Sequence, residues 1–211
     1  MKTKTTLVFS CLFIVQLALG QGFINLDFES AQIVRNQGLA VFVANAFPGW
    51  TVTAPYITYD APSLSGNSIS IYDTSFSIPI QGTYFAAMAS GNYPGTGVTI
   101  SLGQTGTIPS GTESITFWGN IGGLQITFAG QPLEFLVTGN TANYNIYSAD
   151  ISAFAGQSGQ LLFSLPAYVS SATLDNIQFS SSPVPEPGVF ALTALGGLLL
   201  GFRRRKNGAN I

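Results

Sequence analysis

Carboxylates are the main side chains that could do chemistry in the central part of the chain, residues 21–182. This part contains eight acidic residues and no histidine, and the single cysteine, Cys11, lies before it. Ser-His-Asp catalysis, Cys-His catalysis and the usual zinc ligands are therefore excluded. Glycoside hydrolysis would need two acids about 5 to 10 Å apart across a cleft, and the sequence contains no acidic cluster with such a signature. The sequence thus predicts a protein that is not an enzyme.

Asp175 is the carboxylate whose surroundings the sequence predicts most clearly. Ile177 and Phe179 are expected to face the core, so the two-residue repeat of a strand points Asp175 inward as well. A buried carboxylate needs a partner, and Arg35 is the only cation in this part of the chain. A Ca²⁺ ion shared between Asp175, Glu29 and backbone carbonyls would supply one. The alternative is that Asp175 accepts hydrogen bonds from backbone N–H groups of a neighbouring turn.

Exposed aromatic side chains could serve as platforms on which sugar rings stack. We predict two ligand contacts, Trp50 and Tyr93, the second of which lies in a Gly/Pro-rich loop. Further candidates are Tyr56, Tyr59, Tyr72 and Trp118. The alternative is that Trp50 and Trp118 are core residues, which is the commoner position of such side chains in a β-sandwich.

Short strands must position these residues, because the composition favours β-structure and no long amphipathic helix is present. Ten or so strands at regular spacing predict an all-β fold of two packed antiparallel sheets, a β-sandwich or jelly roll. A short helical turn is expected over 150–157, capped by Asp150 or Ser152 and closed by Gly156. The predicted strands are 23–29, 40–46 running on through 51–53, 68–72, 84–89, 98–102, 114–118, 124–128, 133–137, 144–147, 161–165 and 173–179.

Both ends of the chain predict targeting segments. Residues 1–20 carry Lys2 and Lys4 before an apolar stretch and end in small residues, which is typical of a signal helix removed by signal peptidase. Residues 188–202 form an uncharged apolar run before four consecutive cations. A helix of about 15 residues would be about 22 Å long, whereas a permanent span usually needs about 20 residues. We expect a short transmembrane helix with its cations on the cytoplasmic side; an ordinary anchor or a buried helix is the alternative.

The last part of the chain combines three features in a fixed order. They are the turn Val184-Pro185-Glu186-Pro187, the apolar run, and the cluster Arg203-Arg204-Arg205. This arrangement resembles the PEP-CTERM sorting tail of exported proteins of Gram-negative bacteria. The resemblance implies export to the cell surface, transient anchoring in the inner membrane, handling of the tail by the membrane enzyme exosortase, and association with extracellular polysaccharide or biofilm matrix. The expected organisation is a signal peptide (1–20), a β-sandwich ectodomain (21–182) and a sorting tail (183–211).

The ectodomain carries a second resemblance. The opening residues 25–29 (NLDFE), Pro48-Gly49-Trp50, the turn 150–157 and the closing Leu174-Asp175-Asn176-Ile177 are similar to galactose-binding-like domains, a fold that many carbohydrate-binding modules share. The resemblance implies that the first and last strands meet and that the positions of Glu29 and Asp175 hold structural calcium. Residues 56–93 match nothing in that family.

The charge balance narrows the choice of partner. Residues 21–182 contain one cation and eight anions, a formal charge of −7. This argues against nucleic acid, whose binding is driven by Lys and Arg, and is compatible with neutral polysaccharide. We therefore expect an exported, non-catalytic cell-surface or matrix protein with a structural or adhesive role. The alternative is a carbohydrate-binding module with a defined glycan ligand.

Overall fold

A computed structural model describes residues 22–33, 40–59, 67–74, 80–91, 97–168 and 171–184 of the chain. In these ranges the chain forms twelve β-strands, one helical turn α1 (Val43–Ala46) and a 3₁₀ turn (Ser152–Phe154). The signal segment, Arg35, Tyr93 and the tail from Pro185 onward lie outside the described residues, as do the predictions made for them. No helix within the described ranges is long and apolar enough to cross a membrane.

The strands form two sheets. The five-stranded sheet contains, in spatial order, β1 (Thr51–Thr53), β5 (Ile100–Thr107), β11 (Ser158–Leu165), β7 (Gln125–Phe128) and β8 (Gln131–Pro132). The seven-stranded sheet contains β2 (Tyr56–Tyr59), β3 (Ser68–Tyr72), β4 (Phe85–Ala89), β12 (Ser171–Ser180), β6 (Ser114–Gly119), β10 (Asn145–Asp150) and β9 (Phe135–Asn140). The all-β prediction with two sheets is confirmed.

Neighbouring strands are antiparallel with one exception. β2 runs parallel to β3, with Tyr56 opposite Ser68 and Tyr59 opposite Ile71. The seven-stranded sheet is therefore mixed, and the expectation of purely antiparallel sheets is corrected. β12, ten residues long, lies between β4 and β6 and pairs with both.

The core lies between the two sheets and is rich in aromatic rings. Along β6, the fully buried Ile115 and Phe117 alternate with half-buried Thr116 and Trp118. The ring of Phe117 lies 5.3 Å from that of Tyr147 in its own sheet and 5.9 Å from that of Phe163 in the other. Burying one such side chain stabilises the fold by about 1.5 to 3 kcal/mol, so this alternation fixes which face of each sheet points inward.

The predicted first strand, 23–29, is wrong. This segment forms turns, with Asn25 and Phe28 in the left-handed region at φ 50° and 57°. Instead of joining a strand ladder, this segment makes hydrogen bonds to residues 48–50: Trp50 Nε1 donates to the Asn25 carbonyl (2.9 Å), and Asn25 Nδ2 donates to the Pro48 carbonyl (3.0 Å). Phe28 is fully buried whereas Ile24 is 46% exposed, so the apolar residues do not share one face.

The predicted strand 40–46 is also wrong. Ala40 makes an isolated bridge to Thr58, and the chain then forms α1, whose last residue Ala46 is fully buried together with the following Phe47. A short apolar run is compatible with either a strand or a helical turn. Here the helical turn forms, because it brings Ala46 and Phe47 into the core.

From residue 51 onward the predicted strands are found. Residues 51–53 and 68–72 form β1 and β3 with the predicted bounds, and the later strands are present with shifted ends. The turn after β10 is held as expected, because Asp150 Oδ1 accepts the Ser152 N–H (2.9 Å) and Gly156 has φ 76°. The parallel strand β2 and the short β8 have no counterpart in the prediction.

The opening segment and the last strand of the β-sandwich contact each other. The ring of Phe23 lies 5.3 Å from that of Phe179 on β12, and the Ile177 N–H donates to the Leu26 carbonyl (3.0 Å). The opening segment therefore meets the last strand, although it does so as a turn rather than as a strand.

Candidate functional site

Two predicted site residues, Glu29 and Asp175, bind the same backbone turn. Glu29 Oε1 accepts hydrogen bonds from the N–H groups of Thr83 (2.7 Å) and Tyr84 (2.9 Å). Asp175 Oδ2 accepts the N–H of Gln81 (2.8 Å). We call Glu29, Asp175 and residues 80–84 the carboxylate clasp. Its hydrogen bonds hold the segment that leads directly into β4.

A bulge in β12 sets the position of Asp175. The register with β6 shifts between Asp175 and Gln178, and Asn176 has φ 46°. Leu174 faces the core before the bulge and Ile177 faces it afterwards. Asp175 alternates with Leu174, so it belongs to the outer face of the seven-stranded sheet, where it is fully buried. Its burial agrees with the prediction, but the parity argument was wrong because the bulge interrupts the two-residue repeat.

Asp175 is an unusually weak acid. Burial is the main cause that raises the pKa of Asp175 from 3.8 to about 8; the carboxylates of Glu29 and Asp27 also raise it, and the N–H groups of Asn176 and Gln81 lower it. The protonated form of Asp175 therefore prevails at neutral pH.

The clasp offers few ligands for Ca²⁺. Within the described ranges, no group of three or more His, Cys, Asp or Glu side chains could hold a metal ion. Asp175 Oδ1 accepts the Asn176 N–H (2.7 Å), so both oxygens of this carboxyl are bonded to backbone, as in the alternative given for it above. Because Ca²⁺ takes about six to eight oxygen ligands, Glu29 and Asp175 do not form a metal centre by themselves. Calcium stays a prediction.

A cavity lies on the outer face of the seven-stranded sheet. Ile69, Ile71, Met88 and Leu174 point into the core, so the side chains that alternate with them on β3, β4 and β12 point outward. These outward side chains border a cavity of about 260 Å³. We call this cavity the trench. Its outward-facing lining residues are Ser68, Ser70, Tyr72, Ala87, Ala89, Ser171 and Thr173.

The register of the strands arranges the floor of the trench in two rows. One row contains Ser70, Ala87 and Thr173, and the other contains Ser68, Ala89 and Ser171. All six side chains are small, and four carry hydroxyl groups. Ala87, Ala89 and Thr173 are half-buried and Ser171 is exposed, so the part of the floor over β4 and β12 is accessible.

Aromatic side chains stand around this floor. On the β2 side, Tyr56 is opposite Ser68 and is 53% exposed. On the β6 side, half-buried Trp118 stacks on Tyr144, with ring centroids 5.3 Å apart and planes 15° apart. Along one flank, Tyr72 packs edge-on against Phe85 at 5.5 Å. The rings of Tyr72, Phe85 and Trp118 thus belong to the row next to Ser70, Ala87 and Thr173, and Tyr56 lies beside the row that begins with Ser68.

A second cavity of about 290 Å³ adjoins the trench, since both are lined by Ser171, Ala172 and Thr173. Asn120 and Asn145 also line it. Asn120 is oriented by two hydrogen bonds: its backbone N–H donates to Thr173 Oγ1 (2.9 Å), and its Nδ2 donates to the Asn143 carbonyl (2.8 Å). Asn120 therefore continues the polar lining from the floor of the trench towards β6, whereas Asn145 shares the core-facing side of β10 with Tyr147, to whose hydroxyl its Nδ2 donates (3.1 Å).

The predicted ligand contacts are placed differently. Trp50 is only 6% exposed and stacks on Phe28 in the core, so the core alternative describes it and we remove it from the candidate contacts. Tyr93 lies outside the described residues. Tyr59 is buried, and its hydroxyl donates to Asp73 Oδ2 (2.5 Å). Among the further candidates, Tyr72 lines the trench, whereas Tyr56 lies opposite Ser68 on β2 and Trp118 lies opposite Asp175 on β6, both on the outer face of the sheet.

The floor of the trench was missed from the sequence. The alternation Ser-Ile-Ser-Ile-Tyr in β3 and the small residues of β4 are visible signals that one face of these strands carries no bulky side chain. What they do not indicate is that β12 pairs beside β4 and brings Ser171 and Thr173 onto the same face.

Comparison with known proteins gives weak likenesses. No protein-family model and no curated protein matches the chain. Among solved structures, the chain is similar to the carbohydrate-binding module TmCBM61, solved in complex with β-1,4-galactotriose, at 13% identity and a TM-score of 0.39, covering 76% of this chain and 98% of the module. It is also similar to the enzymatically active domain of bacteriophage CBA120 tailspike protein 4, at 14% identity and a TM-score of 0.39, covering 63% of this chain but only 19% of that one. Likenesses at this level carry no statement about ligand or activity.

Proposed function

We propose that this chain is an exported, non-catalytic protein whose β-sandwich binds polysaccharide in the trench and so has an adhesive role outside the cell. The observation that carries the proposal is the trench itself, a cavity of about 260 Å³ whose accessible floor, formed by Ala87, Ala89, Ser171 and Thr173, lies beside the ring of Tyr72. Between a purely structural protein and a module with a glycan ligand, this site favours the second.

The chemistry of the trench suits sugars. A pyranose ring has apolar C–H faces, which pack on aromatic rings, and equatorial hydroxyls, which exchange hydrogen bonds with Ser, Thr and Asn. Small floor residues such as Ala87 and Ala89 let a ring approach the sheet closely. Among the described residues that line the trench, none is charged, so binding would depend on stacking and neutral hydrogen bonds.

The positions of the carboxylates support a non-catalytic role. A glycoside hydrolase needs two acids that flank the scissile bond in an open cleft. Asp175 is fully buried, and Glu29 Oε1 is bonded to two backbone N–H groups of the same turn. Neither acid lines the trench. We therefore assign the carboxylate clasp a structural role, which is to hold the turn that precedes β4.

Export is proposed from the sequence of the two ends. The signal segment would be removed by signal peptidase, and the tail from Pro183 would be held briefly in the inner membrane and processed by exosortase. Mass spectrometry of the protein isolated from its native host would test this. A chain that begins after residue 20 and lacks the apolar tail is expected, whereas a chain that still ends at Ile211 would contradict processing.

Binding can be tested on the purified ectodomain with immobilised laminarin, arabinoxylan, cellulose oligosaccharides and β-1,4-galactan. At least one should be retained, and Trp118→Ala should weaken binding about tenfold through loss of one stacking contact. Val137→Ala is the matched control, because Val137 is 54% exposed on β9, away from the trench. If no polysaccharide binds, or if both variants behave alike, the trench is not a glycan site.

A further inference from the structure

We propose, on the basis of the function proposed above, that Asn120 sets the specificity of the trench by binding two neighbouring hydroxyl groups of one sugar residue. The ligand is then a polysaccharide whose internal residues keep such a pair of hydroxyls, as 1,4-linked pyranoses do and 1,3-linked pyranoses do not. This inference depends on where the floor of the trench continues and on how the side chain of Asn120 is held.

The floor of the trench continues past β12 onto the segment that follows β6. The Gly122 N–H donates to the Ser171 carbonyl (3.2 Å), and the Thr173 N–H donates to the Asn120 carbonyl (2.8 Å). This segment therefore runs beside the first residues of β12 as a neighbouring strand would. The Asn120 N–H also donates to Oγ1 of Thr173, the outward side chain opposite Ala87 (2.9 Å). Asn120, which is exposed, thus adds a polar group to the row that contains Ala87 and Thr173.

The side chain of Asn120 is fixed by the neighbouring hairpin. Its Nδ2 donates to the Asn143 carbonyl (2.8 Å), in the turn between β9 and β10. An amide carries one acceptor oxygen and two donor hydrogens. The bond to Asn143 uses one of these hydrogens, and within the described ranges the side chain makes no other hydrogen bond. Oδ1 and the second Nδ2 hydrogen of Asn120 can therefore bind a ligand.

An amide held in this way complements two neighbouring hydroxyls. Its acceptor and its donor lie side by side in one plane, so one hydroxyl can donate to Oδ1 while the adjacent hydroxyl accepts from Nδ2. Because the side chain is already held before binding, little conformational entropy is lost when it contacts a sugar. Hydroxyls that are not adjacent on the ring can satisfy only one of the two atoms.

Neighbouring side chains complete a place for a sugar ring. Ser171 and Thr173 border both cavities, and Asn120 borders the second. On the other side, continuation of the β6–β10 register places Tyr144 next to Asn120, and half-buried Tyr144 stacks on Trp118. Hydroxyl groups therefore lie on one side of the amide and an aromatic ring on the other, which suits the polar edge and the C–H face of a pyranose.

Matched pairs of linear hexasaccharides test the ligand class: glucans, galactans and xylans, each in the 1,4-linked and the 1,3-linked form. A 1,3-linked hexasaccharide keeps adjacent hydroxyls only at its ends. Isothermal titration of the purified protein should therefore show about tenfold tighter binding of the 1,4-linked member in the pair that binds best. Equal affinity for both members would overturn this inference and leave glycan binding intact. Failure of every hexasaccharide would reject the proposed function as well.

Asn120→Ala tests the assigned residue. It should weaken binding of the preferred hexasaccharide about tenfold and remove most of the difference between the two linkages. Asn140→Ala is the matched control, because Asn140 is exposed at the end of β9 in the same hairpin and lines neither cavity. If the two variants bind alike, Asn120 does not contact the ligand.

A third variant guards against loss of folding, since Asn120→Ala also removes the bond to the Asn143 carbonyl. Ser171→Ala deletes an exposed hydroxyl that makes no hydrogen bond within the described ranges, so the melting temperature should be preserved. Binding should still weaken a few fold. Unchanged binding by Ser171→Ala, together with a lowered melting temperature of Asn120→Ala, would show that Asn120 has a structural role only.

Discussion

At the level of single residues, Asp175 is fully buried, and the hydrogen bonds to its carboxyl oxygens come from backbone N–H groups. Its two oxygens accept the N–H groups of Gln81 and Asn176, while Glu29 accepts the N–H groups of Thr83 and Tyr84 in the same turn as Gln81. Such side chain–backbone bonds replace a strand ladder where the chain turns. The clasp thus ties the opening segment, the approach to β4 and the bulge of β12 to one another.

Asp175→Asn should remove a pH dependence of stability. The pKa of Asp175 is about 8 in the folded protein against an ordinary value of 3.8, so between these values the folded state keeps a proton that the unfolded state has lost. The free energy of unfolding of the wild type should therefore fall as the pH rises through this window, by up to about 1.4 kcal/mol per pH unit, and level off above it. Urea titrations at a series of pH values measure the slope, which should be absent in the variant.

Bound calcium would change this result. A cation beside Asp175 would keep it ionised, so the wild-type slope would be flat until a chelator restored it. In protein purified with calcium, a melting temperature that does not move on addition of chelator would end the calcium prediction.

Gly82→Ala should open the clasp. Gly82 has φ 59°, and a Cβ there would lie 2.3 Å from Glu29 Oε1. Gly111→Ala is the matched control, because Gly111 has φ 78° but no atom within 4 Å of such a Cβ. The control should lose about 1 kcal/mol for the backbone conformation alone, and Gly82→Ala should lose clearly more. Urea unfolding compares the two, and equal losses would mean that Glu29 contributes nothing through this contact.

At the level of elements, the opening segment depends on one donor from another part of the chain. Trp50 Nε1 donates to the Asn25 carbonyl at 2.9 Å, and the indole stacks on Phe28 with centroids 5.5 Å apart. Residues 22–30 therefore keep their turns through tertiary contacts rather than through their own propensity.

Trp50→Phe should loosen this segment selectively. The phenyl ring preserves most of the stacking on Phe28, but the Asn25 carbonyl loses its donor, at a cost of about 1 to 3 kcal/mol. Hydrogen exchange of residues 22–30 should accelerate, while exchange in β5 and β11 stays close to that of the wild type. Uniform acceleration over the whole β-sandwich would show instead that the substitution damages the core.

These contacts also explain which elements the sequence could predict. In the later strands the two-residue alternation of apolar side chains agrees with their burial, as in β6, where Ile115 and Phe117 face the core. Residues 23–29 show the same alternation, yet left-handed Asn25 and Phe28 turn the chain. The choice of Trp50 as a ligand contact failed for a related reason, since the indole that fixes this turn must be buried. The trench could not be predicted, because it depends on the strand order β3-β4-β12-β6, which is set by pairing between strands that are distant in the sequence.

At the level of the whole molecule, the sheets differ in how their edges are protected. β1 has three residues, β8 has two including Pro132, and β2 is bridged by Ala40. β9 has six residues and no charge, and Leu136 and Val137 on it are 38% and 54% exposed. Within the described ranges no strand pairs with its outer side. An uncharged edge of this kind favours pairing with another copy.

Val137→Lys should therefore reduce self-association of the protein at high concentration. A charge on the open edge has to be desolvated when another strand approaches, whereas in the monomer it stays in water, so the melting temperature should hardly change. Sedimentation velocity over a concentration series measures the effect. Ile24→Lys, at an apolar side chain that is 46% exposed outside the edge, separates edge protection from the general effect of added charge. The two variants would behave alike if net charge alone controlled association.

The central position of β12 has a mechanical consequence. Any tension applied through the residues that follow Ser180 enters the body along this strand, which is held by β4 on one side and by β6 on the other. With a polymer gripped above β12, a pull on the tail would shear these two ladders, and their hydrogen bonds would resist together instead of opening one after another. Under the function proposed above, the strand that supplies part of the trench floor would therefore also carry the force between a bound polysaccharide and the cell.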